Sequence, residues 1–439
     1  MAPDSESGQT LTEAIGSRTH PMSGLVHGAP LAAGAIFALM TQSLGGGGMG
    51  DATFLVGAAL AAMSILYGFL SWWFTRYVID GNEIRIHTGI VNKSSRRIPY
   101  ERIQSIDIAE PFLARLLTLA ELRIEMAGGT NARSSLRYLP LDDAQQLRHM
   151  LLARAHGRAT DEIESEPHEA GRVFIASVSP DRIIIGMLLS LDFLAVVTGM
   201  AGAIVVAVWL GEPAVFFGGF LPLGFGLVQM ITGRVLTQWN FTLSRNDDGL
   251  RVERGLLARS SQTIPFARVQ GVSVVEPLLW RRLGWTRLEV DVAGYAGRSD
   301  GDSTDIGSTL LPIADPWLAA SVLDQLITGV RPEEVDRVRV PPRSWPFAPI
   351  GWRYRWVGTD DIAFVARSGW LHRTTDVIPH ARTQSVELRQ GPFARRLGLA
   401  TVEVHTPAGP VDADGRNLDA ADAQRVAFEQ LSRARRART

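Results

Sequence analysis

Arg-x-Gln recurs at three places, Arg102 with Gln104, Arg268 with Gln270 and Arg382 with Gln384. On an extended backbone both side chains of such a triplet project to one face of a strand. A guanidinium beside a carboxamide can dock a peptide or partner, or it can fasten turn carbonyls inside each repeat. Threefold recurrence favours the fastener, because shared folds need shared contacts whereas separate partners need differences. An enzyme needs a convergent nucleophile, base or metal shell. The nine histidines include no His-Glu-x-x-His pair, and Gly45 to Gly48 lacks the Lys-Ser/Thr of a phosphate-binding loop. With no cysteine in the chain, disulfides, thiolate metal sites and thiol chemistry are excluded. His380 fills the slot held by Tyr100 and Phe266, which is a packing position. No catalytic residue, cofactor or metal site is expected.

Charged side chains supply the remaining candidates. Asp192 interrupts an otherwise apolar run from Ile183 to Leu210, which places it about 14 Å along a continuous helix. A lone carboxylate there costs at least about 2.5 kcal/mol, so protonation or burial against polar groups such as Ser64, Tyr67 or Gln229 is expected, and proton or solute movement is its functional reading. Lys93, Arg96 and Arg97 form a basic cluster. A phosphoinositide pocket wants basic side chains around the first strand loop, yet those loops read Asp80-Gly-Asn-Glu83, Asn246-Asp-Asp248 and Thr359-Asp-Asp361. Near the chain end Arg425, Arg433, Arg435, Arg436 and Arg438 crowd together, and polybasic segments gain about 1 kcal/mol per residue at an anionic leaflet. This tail reads either as a frayed, solvated end or, with the Arg343 to Arg355 stretch and with Trp345, Trp352 and Trp356 as interfacial anchors, as a segment that docks the third domain on membrane lipids. Overall charge is -1, from 44 basic and 45 acidic residues, so no global field favours nucleic acid.

The elements that must hold these residues are partly apolar helices. Mean hydropathy is +0.07 and hydrophobic content 46%, which fits a mixture of membrane and soluble parts. Gly28 to Gly50, Ala52 to Thr75, Ile183 to Leu210 and Ala214 to Gly233 are each long enough to span about 30 Å of hydrocarbon, and they pair as two hairpins. The hairpin turns hold no Lys or Arg, whereas Arg76, Lys93, Arg96, Arg97, Arg172, Arg182 and Arg234 flank the pairs. The positive-inside rule then puts the turns outside and all else in the cytoplasm, with Trp72, Trp73 and Trp239 near the inner interface. A cleavable signal peptide is not expected, since about twenty-five polar residues precede the first apolar run.

The rest of the chain is an internal repeat. Gly89 to Gln104, Gly255 to Gln270 and Gly369 to Gln384 keep Gly, a basic residue, two hydroxyls, Ile, Pro, Arg and Gln at eight of sixteen positions without a gap. Eleven residues past each Gln stands Arg115, Arg281 or Arg395, followed by period-2 patterns at Leu122, Leu288 and Val402 and by helical stretches at 142–155, 315–327 and 420–436. Short strands closed by one helix describe a small barrel and not a βαβ unit. The expected class is α+β with four transmembrane helices and three such barrels. The expected boundaries are a polar segment 1–24, hairpin 25–75, barrel 76–157, linker 158–182, hairpin 183–233, barrel 234–329, linker 330–344 and barrel 345–439. The polar stretch Gly294 to Ser308 is a loop unique to the second copy.

With its "G-x-[LV]-x-[KR]-[ST]-[ST]-x-x-I-P-x-x-R-x-Q" string and "PFARRLGLATVEV", the chain resembles the bacterial membrane-associated PH-like domain family, in the three-copy layout of the YdbT type, over roughly residues 18 to 435. The resemblance implies PH-like barrels, each with a C-terminal helix, at the inner face of the cell membrane, often beside a shorter one-copy relative. It implies no reaction and no ligand. The expected function is a non-enzymatic, multi-pass scaffold in envelope homeostasis that takes a protein partner. The other reading is a lipid-handling or transport accessory that uses Asp192 and the hairpins.

Overall fold

A computed structural model describes residues 15–18, 51–74, 76–79, 83–88, 94–126, 133–155, 172–211, 213–246, 249–293, 309–407, 409 and 411–438. Gly28 to Gly50 and Gly294 to Ser308 lie outside the described residues. The chain divides into two compact units, residues 1–170 with Leu257–Gln262, and residues 171–256 with 263–439.

In the first unit β1 (Ile15–Arg18), β2 (Arg76–Ile79), β3 (Glu83–Thr88) and β4 (Ser94–Pro99) form an antiparallel sheet in that order. A 24-residue helix, α1 (Asp51–Phe74), falls between β1 and β2 in the chain. One 3-10 turn, Tyr100–Arg102, leads to β5 (Ile103–Glu110), then α2 (Phe112–Leu116), β6 (Leu119–Met126), β7 (Arg133–Pro140) and the closing helix α3 (Leu141–Ala155). Alternation along the strands turns Ile84, Ile86 and Ile98 of one sheet toward Ile106, Leu122 and Ile124 of the other, and α3 adds Leu147 and Leu151. Each fully buried side chain of this kind is worth about 1.5–3 kcal/mol.

In the second unit β8 (Val173–Val178) pairs with β9 (Phe241–Asn246), although α4 (Pro180–Leu188), α5 (Leu191–Leu210) and α6 (Pro213–Ile231) separate them in sequence. Next come β10 (Gly249–Arg254) and β11 (Arg259–Pro265), then β12 (Val269–Pro277), α7 (Trp280–Leu283), β13 (Thr286–Val292), β14 (Thr309–Ala314) and α8 (Pro316–Leu326). The third copy follows the same order with β15 (Arg337–Arg339), β16 (Trp356–Thr359), β17 (Ala363–Ser368), β18 (His372–Pro379), β19 (Ser385–Arg389), α9 (Pro392–Arg396), β20 (Leu399–His405), β21 (Ala413–Asp419) and α10 (Ala420–Arg436). One seven-stranded sheet runs β14-β13-β12-β18-β17-β16-β15, and β19-β20-β21 is a three-stranded sheet. Each copy is therefore four strands, three strands and a helix.

Several sequence expectations are corrected. Among the described residues no sheet closes into a barrel, because the fifth strand of a copy pairs with the fourth strand of the next copy. The expected boundaries cut off the first strand of every copy, since β1 lies in the polar segment 1–24, β8 in linker 158–182 and β15 in linker 330–344. The apolar helices are thus insertions between the first and second strands of a copy. Ile183 to Leu210 is not one span. Ser190 Oγ accepts a hydrogen bond from Phe193 N at 3.3 Å and starts a new helix. The preceding α4 packs Ile183 and Met187 into the core, with the Trp280 indole donating to the Gly186 carbonyl at 2.9 Å.

Of the four expected spans, one passes on length and hydropathy among the described residues. That helix is α5, with a mean hydropathy of 2.4 and only 6% of its apolar window buried. Its 20 residues reach about 30 Å, the thickness of the hydrocarbon core. The neighbouring α6 packs against α5 closely enough that a Cβ on Gly219 would stand 3.0 Å from Ala203 Cβ. Small residues permit such approach where helices pack in lipid. Val205, Val208 and Trp209 of α5 and Val56, Met63 and Tyr67 of α1 are exposed, an apolar surface that water alone would not favour.

Candidate functional site

The repeated string turns the chain from the fourth strand of a copy to its fifth. Its glycine sits at φ +112° in the second copy (Gly255) and +86° in the third (Gly369), where a Cβ would stand 1.8 Å from the His372 carbonyl oxygen. Its isoleucine is a core residue in each copy (Ile98, Ile264, Ile378). Its proline precedes a three-residue 3-10 turn that ends on the arginine. The arginine is therefore on the turn and the glutamine at the strand, so the pair does not share one strand face as the spacing predicts. Gln270 Nε2 donates to the Arg268 carbonyl at 3.2 Å. Arg382 donates to the carbonyl of Ala267, in the preceding copy's turn. Arg102 and Gln384 are exposed and Arg268 is half-buried, while the Gln104 side chain lies outside the described residues. His380 is 1% exposed, and its Nε2 donates to the Asp360 carbonyl at 2.9 Å. Burial holds the imidazole below its ordinary pKa, so it packs as a neutral ring.

The copies are joined by strand pairing, which the sequence reading missed. Arg259, Ser260 and Ser261 face Glu110, Ala109 and Ile108 across β5. Arg373, Thr374 and Thr375 face Glu276, Val275 and Val274 across β12. These are equivalent positions of the repeat, so both junctions have the same register. The basic residue of the string meets a glutamate each time, and Arg373 Nη1 lies 3.7 Å from Glu276 Oε2. Arg281 adds a clamp by donating from Nη2 to the Trp370 carbonyl at 2.6 Å. A charge pair at equivalent repeat positions, Glu110 with Arg259 and Glu276 with Arg373, was the signal available in the sequence.

A cavity of about 240 Å³ opens beside the second junction, lined by Arg355, Ser368, Asp376, Asp412, Asp414 and Arg416 among others. Burial pushes Asp376 up to about 7, and the neighbouring Asp412, Asp414 and Glu289 carboxylates add to the rise against a hydrogen bond from Ser273. Arg416 is held by Asp414 at 2.7 Å. Elsewhere Glu387, Glu403 and His405 bring ligand atoms within 4.8 Å of one another, but Glu387 already serves Arg389 at 3.2 Å and His405 at 3.3 Å.

The charged candidates move as well. Asp192 is in the first turn of α5, half-exposed and 2.6 Å from Arg234 Nη2, so the 14 Å depth does not hold. Arg433 is tied to Glu429 at 2.7 Å and Asp361 at 3.0 Å and is 18% exposed, and Arg438 donates to the Thr383 carbonyl. These two fasten α10 to its own domain and are not a free membrane-facing row; Arg435 and Arg436 are exposed. Trp352 packs against the third copy's core, and Trp356 is buried in the core cluster that the second copy shares, between Arg337 and Arg367. Of the expected anchors only Trp345 is open, with Phe347 and Ile350 beside it in sequence. Of the basic cluster, Arg96 is half-buried, Arg97 exposed and Lys93 outside the described residues. A Gly-x-Ser-x-Gly string occurs at Gly297–Gly301. It lies in the Gly294 to Ser308 stretch, outside the described residues.

Comparison with known proteins agrees with this plan. UPF0699 transmembrane protein YdbT of Bacillus subtilis (strain 168) is 23% identical over 313 residues, which cover 65% of this chain and 62% of that protein. The alignment thus spans less than two thirds of the relative's length. The family described as bacterial PH domain matches three times, over residues 32–155, 189–330 and 326–435. Since those matches take in most of the sequence and coincide with the three structural copies, the chain belongs to the bacterial PH domain family.

Proposed function

We propose that this chain is a membrane-anchored, non-enzymatic scaffold that presents three PH-like domains on the cytoplasmic face, carried by four helices in two hairpins, for partner assembly in envelope homeostasis. The observation that carries the reading is the insertion of apolar helices between the first and second strands of a copy, with lipid-sized apolar surface left exposed on α5. Anchoring through an insertion fixes a domain's distance from the bilayer. The third copy has the short 340–355 connection at that place, and it exposes Trp345, Phe347 and Ile350. An aromatic and aliphatic cluster of this kind suits the bilayer interface, and it replaces the arginine tail as the membrane-facing element of that copy. The described repeat-motif side chains serve packing, turns and copy-to-copy contacts, which supports assembly over catalysis. The transport reading is weaker, because Asp192 is paired at a helix end. Crosslinking followed by pull-down from native membranes tests the scaffold: a protein recovered in fixed ratio supports it, whereas lipid retained without any protein favours the accessory role.

A further inference from the structure

We propose that the open edge of β19 receives β4 of a second copy of this chain, which adds as a strand in the register the chain already uses twice. The inference rests on the reading that all three copies lie on one face of the membrane. Within the chain, the fifth strand of one copy takes the fourth strand of the next, first at Glu110–Arg259 and again at Glu276–Arg373. The third copy has the same fifth strand, β19, and among the described residues no strand of another copy pairs with it. In the order β19-β20-β21 it is the terminal strand, and four of its five residues are exposed, including Leu388 at 47%. Its counterparts β5 and β12 are mostly buried.

The first copy offers the matching half. Its fourth strand, β4, is terminal in the order β1-β2-β3-β4, and Ser94-Ser95 stands there where the docked strands have Ser260-Ser261 and Thr374-Thr375. An uncovered edge presents unpaired N–H and C=O groups that template another strand. Carrying the register over sets Ser95 opposite Leu388 and Arg96 opposite Glu387, an opposite-charge pair. In the second junction the equivalent position holds Ser273 against Asp376. The clamp is also unfilled. Arg281 holds the Trp370 carbonyl, whereas its counterpart Arg395 is exposed on α9 and its side chain makes no hydrogen bond among the described residues. Because β4 and β19 are different surfaces, the contact is head-to-tail: it closes as a reciprocal dimer or larger ring, or runs on as a filament.

The absence of cysteine makes the test direct in full-length protein in native membranes. Chains carrying Ser95→Cys are mixed with chains carrying Leu388→Cys, and Arg96→Cys with Glu387→Cys, under mild oxidation. The two pairs are adjacent, so one of them is the non-hydrogen-bonded kind in which side chains are closest. The expected result is a disulfide-linked dimer at twice the 47.9 kDa chain mass from at least one mixture and from neither partner alone. Glu387→Lys on the Leu388→Cys chain should lower the Ser95–Leu388 yield about two- to five-fold, and Arg96→Glu on the Ser95→Cys chain should restore it. No mixed dimer from either pair, or equal yield from Ser95→Cys alone, overturns the proposal. Such a failure in membranes whose topology labelling is as expected would leave the scaffold reading standing.

Discussion

Asp376 is the residue whose ionisation the fold resists most clearly. Its pKa is pushed up to about 7 from 3.8, chiefly by burial. Below about pH 4 both the folded and unfolded chains carry the proton. As pH rises toward 7 the unfolded chain ionises first, so stability falls across that window and levels off above it, by at most roughly 4 kcal/mol. Asp376→Asn should remove this slope and raise the melting temperature at pH 8, measured by thermal unfolding of the full chain in detergent. An unchanged pH profile would mean that the carboxylate is solvated. A second residue tests the equivalence of the copies. The turn before the sixth strand of each copy is left-handed, at Thr118 (φ +54°), Gly284 (φ +67°) and Gly398 (φ +63°). Glycine adopts this conformation freely and threonine does not. Thr118→Gly should stabilise by about 1 kcal/mol, and the same melts should show Gly398→Thr destabilising; a loss of stability in Thr118→Gly would contradict the reading.

The elements divide into those that announce themselves in sequence and those that do not. The string around Ile98, Ile264 and Ile378 was legible because its glycine, isoleucine and proline answer to backbone geometry and burial that are the same in each copy. The closing helices were legible too, and the third runs from Ala420 to Arg436 as the periodicity predicts. First strands were not, since Ile15–Arg18 and Arg337–Arg339 are only four and three residues long, and the strands they join lie beyond an insertion or a long connection. The break before α5 hid inside one apolar run, although Ser190 with Asp192 in the first turn is a helix-start signal. Arg433 and Trp352 were misjudged because composition reports charge and ring but not the partner. The connection that stands in for a hairpin in the third copy has its own test. Ile350→Cys carrying an environment-sensitive dye, in full-length protein in anionic liposomes, should show blue-shifted emission quenched by lipid-borne quenchers, while Asp422→Cys on α10 should not. Identical spectra at the two positions would remove the third copy's membrane contact.

At the scale of the molecule, apolar helices enter two of the three PH-like copies at the same point of the fold, between the first and second strands. The junction register repeats between copies, and the flanking arginines are tied to them, Arg172 to Glu253 at 3.1 Å and Arg182 to Asp315 at 3.0 Å. If lipid covers α5 and the copies share one face, the hairpin turns must lie opposite every domain. Single-cysteine labelling with a membrane-impermeant thiol reagent in intact cells reads this directly, against a native chain that has no thiol. Gly47→Cys should be labelled from outside and Asp305→Cys should be protected until the membrane is opened. Labelling of Asp305→Cys in intact cells, with Gly47→Cys protected, would contradict the account.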